Sequence, residues 1–213
     1  SGTLSSTLAA GEVVKVSLNN GTTWTTATAT EGGNTFTLSG VTLTGNNTLQ
    51  VRVEDTAGNT GTARTQAYIL DTVAPTTTVS TVSFSNDTGT SSADYVTNVA
   101  SQTISGTLSA NVASGEVVKV SLDNGATWQT ATATAGSNIY TLSGVTLTGS
   151  NTLQVRVEDI AGNASTARTQ AYIYDITAAA PTVALGSDTG TSTSDKITNN
   201  GTVSVSGLES GAT

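Results

Sequence analysis

The chain has no cysteine, no histidine and no methionine among its 213 residues, and only seven lysines and arginines. Each absence removes a class of explanation. Without cysteine there is no disulfide framework, so an extracellular version of this chain needs another source of stiffness. Without histidine or cysteine there is no soft or borderline metal site of the zinc or copper kind. Seven cations, spread singly in a chain of net charge −8, make a poor nucleic-acid surface. No apolar run approaches 18 residues, and no charged stretch leads into an apolar core, so neither a membrane span nor a signal peptide is expected. Charged residues are only 10 %, whereas disorder usually pairs low hydrophobicity with high net charge.

What the chain has in abundance is threonine, serine and valine. β-Branched side chains suit a pleated surface, and no segment carries a helical period, so strands are expected throughout with essentially no helix. The order is also repeated. Residues 1–71 align with 105–175 without a gap, and sixteen of the 71 positions differ. A third copy starts near Asp188, where Ile197-Thr198-Asn199 echoes Val96-Thr97-Asn98. A period of roughly 100 residues suits a small β-domain. The chain opens and closes within a repeat, as a window on a longer array would.

The complete copy predicts seven strands: 76–85, 99–109, 116–122, 126–134, 138–147, 151–158 and 165–174. Val118, Val120 and Leu122 share one face, and Leu153, Val155 and Val157 point inward. Asp123-Asn124-Gly125 marks a hairpin, since Asn-Gly accepts the positive φ of a type I′ turn. Gly144 marks a bend or bulge. Seven short strands with polar turns indicate an all-β, immunoglobulin-like β-sandwich. Residues 1–71 are then a first domain without its opening strand, 72–175 a complete second, and 176–213 the start of a third.

The acidic residues are placed rather than scattered. Of nine aspartates, eight fall in two sets of the same order: Asp55, Asp71, Asp87 and Asp94, then Asp159, Asp175, Asp188 and Asp195. Glu54 and Asn59 accompany the first set, and Glu158 and Asn163 the second. All of these donors are hard oxygens. Calcium (Ca2+) takes six to eight such oxygens from irregular loops, so it is the metal expected. Strand parity puts the Asp87–Asp94 loop and Asp175 at one end of a domain, and Glu158, Asp159 and Asn163 at the other. Junctions between domains are then expected to combine Asp71 with Glu158, Asp159 and Asn163, and Asp87 and Asp94 with Asp175. The plainer reading is that Asp and Asn form turns for backbone reasons alone. Asp123 is read that way, its counterpart being Asn19.

The combination Val-Glu-Asp-x-Ala-Gly-Asn, a strand, Asp-x-x-Ala-Pro and then Asp-Thr-Gly-x-Ser-x-x-Asp resembles the bacterial Ig-like repeats of giant surface adhesins. Those are the Bap-like and RTX-type proteins exported by type I systems. The resemblance spans the chain. It implies an extended, extracellular, calcium-stiffened stalk that holds a distal binding domain toward other cells or surfaces, in adhesion and biofilm formation. Neighbouring repeats of the same chain are the implied partners. Asp175-Ile176-Thr177-Ala178-Ala179-Ala180-Pro181 departs from the pattern by two extra residues. Two other readings are a module whose loops bind a glycan or host receptor, and a repeat of a surface filament or layer. Trp24 and Trp128 are read as semi-buried packing residues rather than sugar platforms. An enzyme is disfavoured, since no Ser stands in a Gly-x-Ser-x-Gly elbow and no Cys or His is present.

Overall fold

Alternating apolar residues in short runs, separated by Gly- and Asn-containing turns, fold into strands and nothing else. The computed structural model describes residues 1–208, and among them there is no helix. The last five residues of the expected third domain, 209–213, lie outside the described part. The chain divides into two compact units, Ser1–Val73 and Ala74–Thr213.

In the first unit the strands are β1 (Gly2–Thr3), β2 (Val13–Ser17), β3 (Thr25–Thr26), β4 (Thr28–Ala29), β5 (Thr35–Thr37), β6 (Asn47–Glu54) and β7 (Arg64–Tyr68). They form two sheets of order β1-β5-β4 and β3-β2-β6-β7. Leu8, Val14, Val16 and Ala27 are buried between them.

The second unit holds β8 (Ser83–Phe84), β9 (Val96–Thr97), β10 (Ser101–Thr107), β11 (Val117–Ser121), β12 (Gln129–Ala133), β13 (Ile139–Thr146), β14 (Asn151–Glu158) and β15 (Arg168–Tyr174). The order is β8-β10-β13-β12-β11-β14-β15-β9. β12 serves both layers. Its first half pairs with β11 through Gln129, Thr130 and Ala131, and its last residues pair with β13 through Thr132 and Ala133. The core between the layers contains Ile104, Val118, Val120, Tyr140, Leu153, Val155 and Val157, all essentially inaccessible. The inward phases expected of β11 and β14 are the ones observed. A separate hairpin, β16 (Thr182–Leu185) with β17 (Val203–Ser206), follows.

Three local differences from the expected strands have physical causes. The first strand, expected over 76–85, keeps only Ser83–Phe84 and one bridge from Val79 to Leu108. Between them the N–H groups of Ser80 and Thr81 both donate to the Thr107 carbonyl, which breaks the ladder. A Cβ on Gly106 would stand 2.0 Å from the Thr81 carbonyl oxygen, so this crossing needs glycine. An eighth strand, β9, was not expected. It pairs parallel to β15, with Ile173 opposite Val96 and Tyr174 opposite Thr97. Finally, β12 begins at Gln129 rather than 126, because Thr127 is drawn onto the carboxylate of Asp123.

The turn itself follows the expected rule. Asn124 has φ 59° and Gly125 φ 89°, the two positive values a type I′ turn needs. Gly144, at φ 72°, sits where the β10–β13 register shifts between Gln102 and Ile104, a bulge.

Candidate metal centre

The loop before β9 is shaped by hydrogen bonds between residues close in sequence. The Tyr95 N–H donates to Asp87 Oδ2 at 3.0 Å, and the Val96 N–H to Asp94 Oδ1 at 3.1 Å. The Thr88 hydroxyl donates to Asn98 Oδ1 and accepts from the Asn98 N–H, both at 3.0 Å. Tyr95 takes φ 63°, a left-handed conformation that costs a non-glycine residue about 1–2 kcal/mol. The same loop recurs at Asp188. There Lys196 has φ 62°, its N–H donates to Asp188 Oδ2 at 2.9 Å, and Thr189 meets Asn199 in the same two bonds. The loop is therefore written in its own residues and does not need the sandwich to shape it.

Each loop leaves one oxygen over. Asp87 Oδ1 and Asp188 Oδ1 are buried and have no hydrogen-bond partner. A buried polar atom without a partner is costly, more so on a carboxylate. A hard cation satisfies it at once. The oxygens present at these two loops are of the kind calcium takes, and Asp87 or Asp188 would be the inward ligand.

β14 runs antiparallel to β15, and β9 lies beside the last residues of β15. The Asp87–Asp94 loop and Asp175 therefore share one end of the sandwich. The Asp175 N–H donates to the Thr97 carbonyl at 3.0 Å, and the Thr97 hydroxyl to the Asn86 carbonyl at 2.7 Å, so linker and loop are two bonds apart. Two bonds from the Thr177 N–H and hydroxyl hold the Asp175 carboxyl below its ordinary range. Asp71 and Asp195 accept the same kind of short-range bond, from the N–H groups of Val73 and Ile197.

Glu158, Asp159 and Asn163 lie at the opposite end of the sandwich, in the turn joining β14 to β15. Here the carboxylate is well supplied. Asp159 Oδ1 accepts from the N–H groups of Ala161 and Asn163, and Oδ2 accepts from Asn163 Nδ2 at 2.8 Å. These bonds, the Asn163 amide first, lower the Asp159 pKa. Asp55 and Asn59 repeat the arrangement in the first unit, with the same first cause. Glu54 and Glu158 pair with Arg52 and Arg156, each at 3.0 Å. Both turns are thus well-bonded Asx turns as they stand. Among the described residues, no three acidic side chains form a group that would hold a metal unaided. Water and backbone carbonyls supply the rest of a calcium shell in many loops.

The tryptophans do have a packing role. The guanidinium carbons of Arg52 and Arg156 lie 4.0 Å from the ring centroids of Trp24 and Trp128, so one face of each indole is covered. Trp128 Nε1 also donates to the Gly125 carbonyl at 3.0 Å. The sequence carried only half a signal for this stack, since Arg156 falls on the outward phase of β14 while Trp128 precedes β12; the two meet because β12 and β14 flank β11.

No curated protein matches the chain. The family profile described as bacterial Ig-like domain matches residues 3–72 and again 73–176. Domains of this kind are typically non-catalytic structural repeats of surface or extracellular proteins. Two tandem matches over most of its length, on sandwich sheets of the expected type, place this chain in the bacterial Ig-like domain family.

Proposed function

We propose that the chain is a structural extender of a large bacterial surface adhesin, stiffened by calcium at the ends of its domains. The observation that carries the reading is the unpartnered, buried Oδ1 of Asp87, repeated at Asp188 on an identically bonded loop. A spacer needs the same end at every repeat, and both loops reproduce it. Asp87, Asp94 and Asp175 would hold the ion at one end of a domain, and Asp188 and Asp195 would do so in the next copy. Calcium supplies positive charge there, which turns mutual repulsion of carboxylates into attraction. Glu54, Asp55, Asn59, Asp71, Glu158, Asp159 and Asn163 would contribute from the facing ends. The protein would act outside the cell, in adhesion and biofilm formation, with neighbouring repeats as its direct partners.

Extracellular calcium modules bind at about 10⁻⁴–10⁻³ M. The test is small-angle scattering of the chain in millimolar calcium and then in chelator. A maximum dimension that shortens on chelation supports the extender. Identical profiles in both conditions refute it.

A further inference from the structure

Two Asn-Gly pairs stand at equivalent hairpin tips, Asn20-Gly21 after β2 and Asn124-Gly125 after β11. This dipeptide carries its own chemistry. The glycine nitrogen, unhindered by a side chain, can attack Cγ of the asparagine. An N–Cγ bond forms, the Cγ–Nδ2 bond breaks, and ammonia leaves with the proton of the glycine N–H. Water then opens the cyclic imide at either carbonyl, giving aspartate or isoaspartate. Asparagine counts among the thermolabile residues. Both side chains are exposed here, so water has access.

In the middle domain every group that this reaction must move is held. The Gly125 N–H donates to Ser121 Oγ at 2.8 Å, and Ser121 is fully buried. The Ser121 hydroxyl in turn donates to Asp123 Oδ1 at 2.7 Å. Asn124 Oδ1 accepts from Gln154 Nε2 at 2.8 Å, across on β14. The Gly125 carbonyl accepts from Trp128 Nε1. A Cβ on Gly125 would stand 3.0 Å from Gln154 Oε1 and 3.6 Å from Trp128 Cζ2, so these two side chains close over the peptide. The attacking nitrogen is therefore turned onto Ser121, while its target is drawn toward Gln154. The first unit repeats the clasp. The Gly21 N–H donates to buried Ser17 Oγ at 2.9 Å, and Asn20 Oδ1 accepts from Gln50 Nε2 at 2.8 Å.

We propose that Asn20 and Asn124 are latent modification sites, closed to deamidation by the serine and glutamine of this clasp and released when the hairpin opens. The folded chain then reacts at the rate of the free dipeptide multiplied by the fraction of time that the hairpin is open. The product matters to the fold. Isoaspartate adds one carbon to the backbone of a two-residue turn whose length sets the pairing of Val118 with Ala131. The stack of Arg156 on Trp128 depends on the same turn. A hairpin modified while open cannot close in its former register. Each hairpin thus converts a lasting opening into a permanent chemical mark.

The experiment incubates the 213-residue chain at mildly alkaline pH, folded and in urea, and weighs its digested peptides for deamidation. Asn124 should react at least about tenfold more slowly in the folded chain than in urea. Ser121→Ala should raise the folded-state rate at Asn124 about fivefold and leave Asn20 unchanged, and Ser17→Ala should do the converse. Gln154→Leu, on the outer phase of β14, should also accelerate Asn124, and it keeps the test open if Ser121→Ala fails to fold. Val155→Ala lowers the melting temperature through the core without touching the clasp, and should change the Asn124 rate little. Equal rates in the folded chain and in urea overturn the proposal. So do clasp variants that react no faster than wild type. Acceleration by Val155→Ala as large as by Ser121→Ala overturns it too, since general unfolding would then set the rate.

Discussion

Leu49 and Leu153 provide one substitution at two burials. They stand in identical strands, Asn47–Glu54 and Asn151–Glu158, both reading NTLQVRVE. Leu153 is fully buried, and Leu49 borders the open cleft of the first unit. Truncation to alanine removes the same atoms from each, so the costs differ only through surroundings. For Leu153→Ala the lost transfer energy and the residual cavity together give about 3–4 kcal/mol. For Leu49→Ala solvent already reaches the side chain, no closed cavity forms, and about 1 kcal/mol is expected. At about 4–8 °C per kcal/mol for a domain of this size, the melting shifts are about 12–32 °C and about 4–8 °C. Each of the two copies carries one tryptophan, Trp24 and Trp128. Fluorescence melts in Trp24→Phe and Trp128→Phe backgrounds therefore follow the two separately. Equal costs in the two copies would refute the claim that the first unit's core is open.

Asp87→Asn keeps an acceptor for the Tyr95 N–H and removes the buried charge. Calorimetry should show no loss of stability in chelator, and loss of the calcium-induced rise in melting. That rise is about 1.4 kcal/mol at ten times the dissociation constant, and an unchanged rise in the variant would remove Asp87 from the site. Asp123 is hydrogen-bonded first by Thr127, and its pKa falls to about 2. A depressed carboxylate contributes stability that is present above its unfolded pKa near 4 and is lost as pH falls through about 2. Asp123→Asn should flatten that acid limb of the melting profile for the middle domain, and Asn19→Asp should introduce one in the first; superimposable profiles would contradict this. Asp71→Ala should leave both melting transitions in place yet reduce the maximum dimension in calcium, whereas an unchanged scattering curve would remove Asp71 from the junction.

The fold was legible wherever periodicity settles the matter. Val118, Val120, Leu153, Val155 and Val157 alternate, and all are inward. What escaped the sequence is set by long-range partners. Val96-Thr97 is too short to announce itself as a strand, and only β15 makes it one. Tyr140 is fully buried, and its hydroxyl reaching the Thr81 carbonyl at 2.9 Å depends on a crossing 59 residues away. In the candidate site, the acidic positions were evident from the repeat. Their division was not. Asp159 and Asp55 carry their own amide partners at short range, while Asp87 and Asp188 are bonded on one oxygen and left open on the other.

The parallel pairing of β9 with β15 also has a mechanical consequence. The chain enters the middle domain at Ala74, runs through the Val79 bridge and β8 before it reaches β9, and leaves directly after β15. Tension at the entry is therefore taken first by the bridge from Val79 to Leu108 and by the β8–β10 pairing, and only then slides β9 along β15. Their joining bonds, from the Ile173 N–H to the Tyr95 carbonyl and from the Asp175 N–H to the Thr97 carbonyl, are loaded together rather than unzipped one by one. Once the entry segment has come away, resistance rests on a contact of a few residues beside the Asp87 loop. A domain tugged by flow would give up Val79 and Val82 first, and then hold or yield at that seam while the valines of β11 and β14 stay packed.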